Sequence, residues 1–218
     1  MEVNKPINRT LVTTADQKTW PKDKNEPVLF LGEWCKRFSD KTDWQNLNAE
    51  VLPYHWDDRK KLESDYDLLK KIYENILIVL SSKLNDIHSC NHSLRYWRIV
   101  IGPWLAIFTQ ILFDRWTTIR DALENNNIEK CYVLERDPLT LVPKDNVAFR
   151  NQYEEDSWNE AIYAQLLQIY FSDKINLIKL PQENQSISLK ESTRRGVLYK
   201  FKNLVKKSTK VSMKFLPK

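Results

Sequence analysis

The chain has 218 residues, of which 42% are hydrophobic and 11% aromatic, so it can bury one sizeable core but is short for two full domains. Its formal net charge of +5 is uneven, because residues 182–218 carry +8 and residues 1–181 therefore carry −3, which disfavours nucleic-acid binding by the folded body. No uninterrupted apolar run reaches the roughly 20 residues of a membrane span and the N-terminus has no signal-like apolar segment, so we expect a cytoplasmic protein without a transmembrane helix.

Short runs of strand-favouring residues alternate with longer helical patterns along the chain. The predicted strands are residues 11–14, 28–31, 50–54, 131–134 and 175–178, and spacings of three and four predict helices over 58–87, 93–123 and 157–171. Gly102-Pro103 should kink or divide the second helix. The third helix is expected to turn Trp158, Ile162, Leu166 and Ile169 inward. This alternation predicts an α/β fold, a Rossmann-like and mostly parallel sheet of about five strands covered by long helices.

The composition changes after Pro181, so we predict an α/β domain at 1–181 followed by a basic linker and amphipathic helix at 182–218. Within 190–214 an apolar stripe is surrounded by Lys and Arg, and it contains Val197, Leu198, Phe201, Leu204 and Val205. Such a helix packs on the domain, contacts a partner or lies on an anionic membrane. Nucleic-acid binding by this stretch is less favoured than any of these three.

Several familiar catalytic and cofactor sites are excluded or disfavoured by composition. The three glycines are too few and too far apart for a Walker loop or a dinucleotide-binding glycine motif. The three cysteines are typical of reduced thiols. His88, Cys90 and His92 alternate as metal ligands could, but no second ligand cluster accompanies them. We therefore predict no metal site.

Polar side chains follow the predicted strands, where ligands bind in open α/β sheets. Glu33 comes after the second strand, and His55, Asp57 and Asp58 accompany Trp56 after the third. Carboxylates and imidazoles can act as general bases, and aromatic rings beside hydrogen-bonding acids are typical of saccharide-binding surfaces. The alternative is structural, with Asp58 capping the next helix and Trp56 packing.

A second group of candidates lies at the start of the second long helix. Arg95 and Arg98 are three residues apart and so share a helical face, where they could hold a phosphate or carboxylate. An ion pair with an acidic side chain explains the same spacing. Trp97 between them is either a binding platform or a core residue.

These segments resemble a family of proteins classed as transferases and found with bacterial O-antigen and other surface-polysaccharide genes. The resemblance covers about residues 11–136 and is weaker to 180. It is carried by Leu11–Asp16, Val28–Cys35, Pro53–Arg59, His92–Arg98, Ile101–Trp104 and Ile111–Trp116. The resemblance implies longer relatives whose C-terminal region is glycosyltransferase-like, so this chain is expected to be the acceptor-side half of a two-domain enzyme.

The same resemblance implies a saccharide or lipid-linked saccharide acceptor and a location in the cytoplasm or at the inner membrane. No cofactor is expected in this chain, and a nucleotide-sugar donor is expected on a second domain or partner chain. For an inverting transfer we expect Asp57 to be the base, followed by His55 or Glu33. Substrate contacts are expected from Arg95, Arg98, Trp56, Asp58 and Trp97. The alternative is a non-catalytic binding module with a basic tail that contacts a membrane or partner.

Overall fold

Five parallel strands form the sheet at the centre of the fold. The structure is a computed structural model of the 218-residue chain and describes residues 7–137 and 141–181. The strands are β1 (Arg9–Val12), β2 (Val28–Phe30), β3 (Ala49–Val51), β4 (Ile128–Glu135) and β5 (Asn176–Pro181). Their order is β3-β2-β1-β4-β5, with every neighbouring pair parallel. The strands β2 and β3 therefore lie on one side of β1, and β4 and β5 lie on its other side. The direction of strand addition reverses between β1 and β4, which is the topological switch point of the sheet.

The central strands are buried on both faces. Successive side chains of a strand point to opposite faces, and Val28, Leu29 and Phe30 of β2 are all at most 2% exposed. On one face the ring of Trp20 packs edge-on against Phe30, with 5.3 Å between ring centroids. This burial is what a parallel sheet covered by helices and loops requires.

The helices connect the strands. They are α1 (Lys41–Trp44), α2 (Arg59–His88), α3 (Leu94–Asn125), α4 (Asn146–Gln152) and α5 (Asp156–Tyr170). The last of these joins β4 to β5 and buries Trp158, Tyr163 and Leu167. The predicted α/β fold, with its five strands and three long helices, is thus confirmed.

Several details of the prediction differ from the structure. The helix α3 continues through Gly102-Pro103 as one element, and the short helices α1 and α4 were not predicted. Ile169 was predicted to point inward but is 51% exposed, because the buried face of α5 is centred near Tyr163 and residue 169 lies well off that face. The predicted basic helix within 190–214 lies outside the described residues and stays a prediction.

The chain forms two compact units. The first comprises the described residues up to Arg59 together with those from Leu112 onward, and it contains the sheet. The second contains Lys60–Ile111, the antiparallel hairpin of α2 and the first part of α3. In the second unit a Cβ added to Gly102 would lie 2.7 Å from the Tyr73 hydroxyl oxygen, so glycine permits the close approach of the two helices.

The helix α3 is long and apolar enough to cross a membrane by length and composition alone. An 18-residue window in it has a mean hydropathy of 1.3, and 22% of that window is buried. No such segment was expected from the sequence, because Gln110 and Asp114 interrupt the apolar run of this helix. Core helices of soluble proteins can have the same length and apolar composition.

Candidate functional site

The loops that follow β1, β2 and β3 bring aromatic side chains together at one edge of the sheet. We call this region, at the carboxyl ends of the parallel strands, the carboxyl edge. The Trp34 indole N–H donates to the Thr13 carbonyl oxygen at 3.0 Å, and its ring meets Tyr54 edge-on at 6.2 Å between centroids. A Cβ at Gly32 would lie 2.2 Å from the Trp34 ring, so only glycine allows this placement. Trp34 remains 37% exposed, and the carboxyl edge therefore presents an accessible aromatic face.

The chain after β3 forms a 3₁₀ turn, His55–Asp57, that is held by a buried carboxylate. His55 Nε2 lies 3.0 Å from Asp114 Oδ1, and the Tyr54 hydroxyl donates to the same oxygen at 2.9 Å. Arg115 donates to the other oxygen, Oδ2. The side chains of His55 and Asp114 are 3% and 5% exposed, so this is a buried charged network rather than a surface contact.

The network keeps the Asp114 carboxylate ionised. Burial by itself raises the pKa of Asp114, but the hydrogen bonds from His55 and Tyr54 and the charge of Arg115 outweigh it and hold that pKa below its usual value. An ionised carboxylate only accepts hydrogen bonds, so the His55 hydrogen facing it is on Nε2. The His55 Nδ1 atom is buried and, among the described residues, has no hydrogen-bond partner.

The same network reaches helix α5. Arg115 donates from Nε and Nη2 to Asn159 Oδ1 at 3.2 and 2.9 Å. The Asn159 amide in turn donates to the carbonyl oxygens of Tyr153 and Glu155, at 2.8 and 3.0 Å. The turn after β3 is thereby tied through α3 to the start of α5, which makes the carboxyl edge a preorganised surface.

The predicted acidic candidates lie on the surface of this edge. Asp57 and Asp58 are exposed, and the charge of Asp57 contributes, after burial and Asp114, to raising the pKa of Tyr54. Glu33 is also exposed and pairs with Lys36 at 2.8 Å. Asp57 is therefore a solvent-exposed carboxylate on a turn that His55 attaches to the buried Asp114.

Trp56 packs against neighbouring rings in the first unit. Its ring is nearly parallel to that of Phe113, with 6.3 Å between centroids, and its centroid is 4.7 Å from that of His55. Trp56 thus packs against His55 and Phe113 in the first unit, and its contact with a substrate stays a prediction.

The remaining predicted residues belong to the second unit, where Arg98 and Trp97 have side-chain partners. Arg98 makes a two-bond ion pair with Glu74, at 2.5 and 2.7 Å. Trp97 is 6% exposed and donates its indole N–H to Asn85 Oδ1 at 2.9 Å. Arg95 is exposed. The ion pair of Arg98 matches the structural alternative, and ligand binding by this group stays a prediction.

A hollow of about 370 Å³ lies at the switch between β1 and β4, beside the N-terminus of α5. Its lining includes Asp16, Arg37, Asp156 and Ser157. Arg37 Nη2 pairs with Asp156 Oδ2 at 2.5 Å, while burial and neighbouring carboxylates raise the pKa of Asp156. The hollow is mainly acidic, so it suits hydroxyl or cationic groups better than phosphate.

Sequence reasoning missed Asp114 as a member of the site and Asp16 and Asp156 as lining residues. Asp16 comes soon after a predicted strand and could have been found from that position. Asp114 is in the middle of a helix and 59 positions from His55, so no local signal marks it.

Metal binding has no geometric support in 7–137 and 141–181, where no three His, Cys, Asp or Glu side chains are grouped as a metal site. Cys90 instead contacts Asn85 through its sulfur, at 3.4 Å, and the His92 ring stacks on Tyr96.

Comparison with known proteins adds the class of reaction. The model of a family described as LIC12162 family transferase matches residues 9–217, nearly the whole chain. Neither a curated protein nor a solved structure matches the chain. Because the match extends over far more than half of its residues, the chain belongs to the LIC12162 family of transferases.

Proposed function

We propose that the chain is a glycosyltransferase of bacterial surface-polysaccharide biosynthesis and that its carboxyl edge binds the acceptor saccharide. Membership of a transferase family supports group transfer. The observation that carries the choice of a sugar is the contact of the exposed Trp34 ring with Tyr54, which leads directly into the turn that bears the exposed Asp57.

The chemistry of this edge suits a saccharide. The C–H face of a sugar ring packs on an aromatic side chain, and carboxylates accept hydrogen bonds from its hydroxyl groups. Trp34, Tyr54 and Trp56 supply rings, and Asp57 and Glu33 supply carboxylates. Because backbone and buried side-chain hydrogen bonds hold Trp34 and Tyr54, little ordering is needed when the ligand binds.

In the proposed transfer an acceptor hydroxyl oxygen attacks the anomeric carbon of the donor sugar. The bond from that carbon to the leaving phosphate oxygen breaks, and the hydroxyl proton passes to Asp57. Asp57 is preferred as base because it is exposed, whereas His55 is 3% exposed and serves here to position the turn. Glu33 is the second candidate, although its ion pair with Lys36 competes for the carboxylate.

The donor in this proposal is a nucleotide sugar, held by a second domain or a partner chain. The acidic lining of the hollow beside α5 favours this division, since a diphosphate would be repelled there. The described residues then form the acceptor side of the enzyme, and a lipid-linked saccharide is the proposed acceptor.

Ligand-observed NMR on the full chain tests the proposal, with a panel of neutral and acidic oligosaccharides. Trp34→Ala and Asp57→Asn should each weaken saccharide binding by about tenfold, which corresponds to about 1.4 kcal/mol. Asp67→Asn is the matched control, because this aspartate is 68% exposed and lies in the second unit. Circular dichroism establishes that each variant is folded.

The pattern of losses decides the roles. In a transfer assay with nucleotide sugars and lipid-linked acceptors, Asp57→Asn should lower kcat more than it raises KM if Asp57 is the base. Saccharide binding that survives both substitutions unchanged would place the acceptor elsewhere. A chain that binds no saccharide and transfers none would contradict the proposal as a whole.

A further inference from the structure

Large apolar side chains are exposed around the turn between α2 and α3. In Lys60–Ile111 six of the seven exposed large apolar residues fall within 78–100, the seventh being Tyr66. The six are Ile78, Val79, Ile87, Tyr96, Ile99 and Val100, and they are between 42% and 69% exposed. We call residues 78–100 the hairpin tip. Its apolar surface is concentrated at one end of the hairpin, unlike the scattered apolar residues of an ordinary surface.

A buried-core explanation does not account for this surface. The 18-residue apolar window of α3 is only 22% buried, whereas a helix that is apolar because it lies in a core is mostly covered. Tyr96, Ile99 and Val100 follow the spacing of three and four that places side chains on one helical face. This face therefore needs an apolar environment from outside the described residues.

The charge of the hairpin tip indicates which kind of partner its apolar surface contacts. Residues 78–100 hold Lys83, Arg95 and Arg98 against Asp86, a net charge of +2. The net charge is +1 once Glu74, the ion-pair partner of Arg98, is counted, and Lys83 pairs with Asp86 at 3.5 Å. A second copy of the chain would bring an equal positive charge, and residues 182–218 carry +8, so like charges oppose both as occupants. An anionic bilayer offers an apolar interior beneath negative headgroups and complements both features.

We propose that the hairpin tip binds the surface of an anionic lipid bilayer. The apolar side chains of Ile78, Val79, Ile99 and Val100 enter the boundary between headgroups and acyl chains. Tyr96 lies at the headgroup level, where amphipathic rings are favoured, and Lys83 and Arg95 contact anionic headgroups. The hairpin lies in the interface and does not span the membrane. This inference uses only the second unit and does not depend on sugar transfer.

Flotation of the full chain with lipid vesicles tests the proposal. Vesicles of phosphatidylcholine alone are compared with vesicles that also contain phosphatidylglycerol. Ile99→Ser/Val100→Ser should weaken binding at least tenfold, since it removes two of the inserted side chains. Val147→Ser is the matched control because Val147 is 69% exposed on α4, in the first unit. The second pair, Ile78→Ser/Val79→Ser, should reproduce the loss, and circular dichroism checks the fold of each.

The contribution of charge is tested separately. Lys83→Gln/Arg95→Gln should weaken binding to the phosphatidylglycerol vesicles by about fivefold per cation and leave binding to phosphatidylcholine unchanged. Binding through the basic C-terminal stretch instead would vanish at high salt and ignore the serine substitutions.

Three results would overturn the proposal. One is a wild-type chain that does not float with either vesicle. Another is flotation of both serine pairs with wild-type affinity, which would assign binding to the basic stretch. The third is wild-type self-association in light scattering that both pairs abolish, without vesicle binding, which would make the tip a protein interface.

Discussion

Replacing Asp114 by Asn should destabilise the chain by about 3 kcal/mol, because removing one partner of a buried ion pair leaves the other charge uncompensated. Asp114 accepts hydrogen bonds from three side chains, Tyr54, His55 and Arg115. Bonds to a charged group contribute roughly 1.5–3 kcal/mol each, so their sum would exceed the expected loss. We expect the smaller figure since Arg115 keeps its bonds to Asn159 and is 22% exposed.

Urea unfolding followed by tryptophan fluorescence measures this loss, and Asp67→Asn controls for removal of an exposed carboxylate. A lower midpoint at unchanged slope is expected, with a melting temperature lower by about 10 °C. The pKa of Asp114 is lowered in the folded chain, so its stabilisation is present above its ordinary pKa of 3.8 and is lost as pH falls through the folded pKa. The difference between wild type and Asp114→Asn should therefore shrink as the pH falls below about 4.

A loss below about 1 kcal/mol would refute this reasoning, because it would mean that the buried charge of Arg115 is compensated without Asp114. A difference that persists undiminished in acid would refute the assignment of an ionised Asp114. Asp67→Asn should change stability by less than about 0.5 kcal/mol in either case.

Three further predictions concern other buried groups. Burial raises the pKa of Glu160, although the Leu134 backbone N–H and the Arg136 side chain donate hydrogen bonds to its carboxylate. The free energy of unfolding should therefore decrease as the pH rises from about 4.5 through the folded-state pKa of Glu160. Urea unfolding at a series of pH values should show a weaker pH dependence for Glu160→Gln. Gly102→Ala should destabilise because its Cβ would meet the Tyr73 hydroxyl, but in a Tyr73→Phe background it should stabilise by about 1 kcal/mol, as measured in a double-mutant cycle. Burial raises the pKa of Cys35 to about 12 and raises that of Cys131, so the folded chain should show fast thiol modification only at Cys90, and rapid reaction at all three would contradict the packing.

The fold was predictable because its strands and long helices have strong local patterns. Val28–Phe30 is an apolar run between Pro27 and Gly32, and α2 and α3 repeat apolar residues over eight turns or so. The strand order was not predictable, since it depends on which crossover each connection makes. The short helix α4 was missed because seven residues are too few for a periodic signal.

The candidate site was predictable only where its residues follow strands. Glu33, His55 and Asp57 were found from that position, whereas Asp114 and Asn159 are brought in by helices α3 and α5. Local sequence reasoning also assigned His55 and Asp57 similar chemistry. Burial separates them, because one side chain faces Asp114 inside the protein and the other faces solvent.

Buried ion pairs seldom stabilise a protein more than apolar side chains of similar size would, so stability alone does not explain the network around Asp114. If the network serves to position the turn, an apolar replacement of all four members should retain stability within a few kcal/mol and lose saccharide binding. The combined variant is Tyr54→Phe/His55→Leu/Asp114→Leu/Arg115→Met. Urea unfolding and ligand-observed NMR measure the two properties on the same protein. If the folded variant still binds saccharide, the network is not needed to position Asp57. The backbone of the turn alone would then hold Asp57 in place.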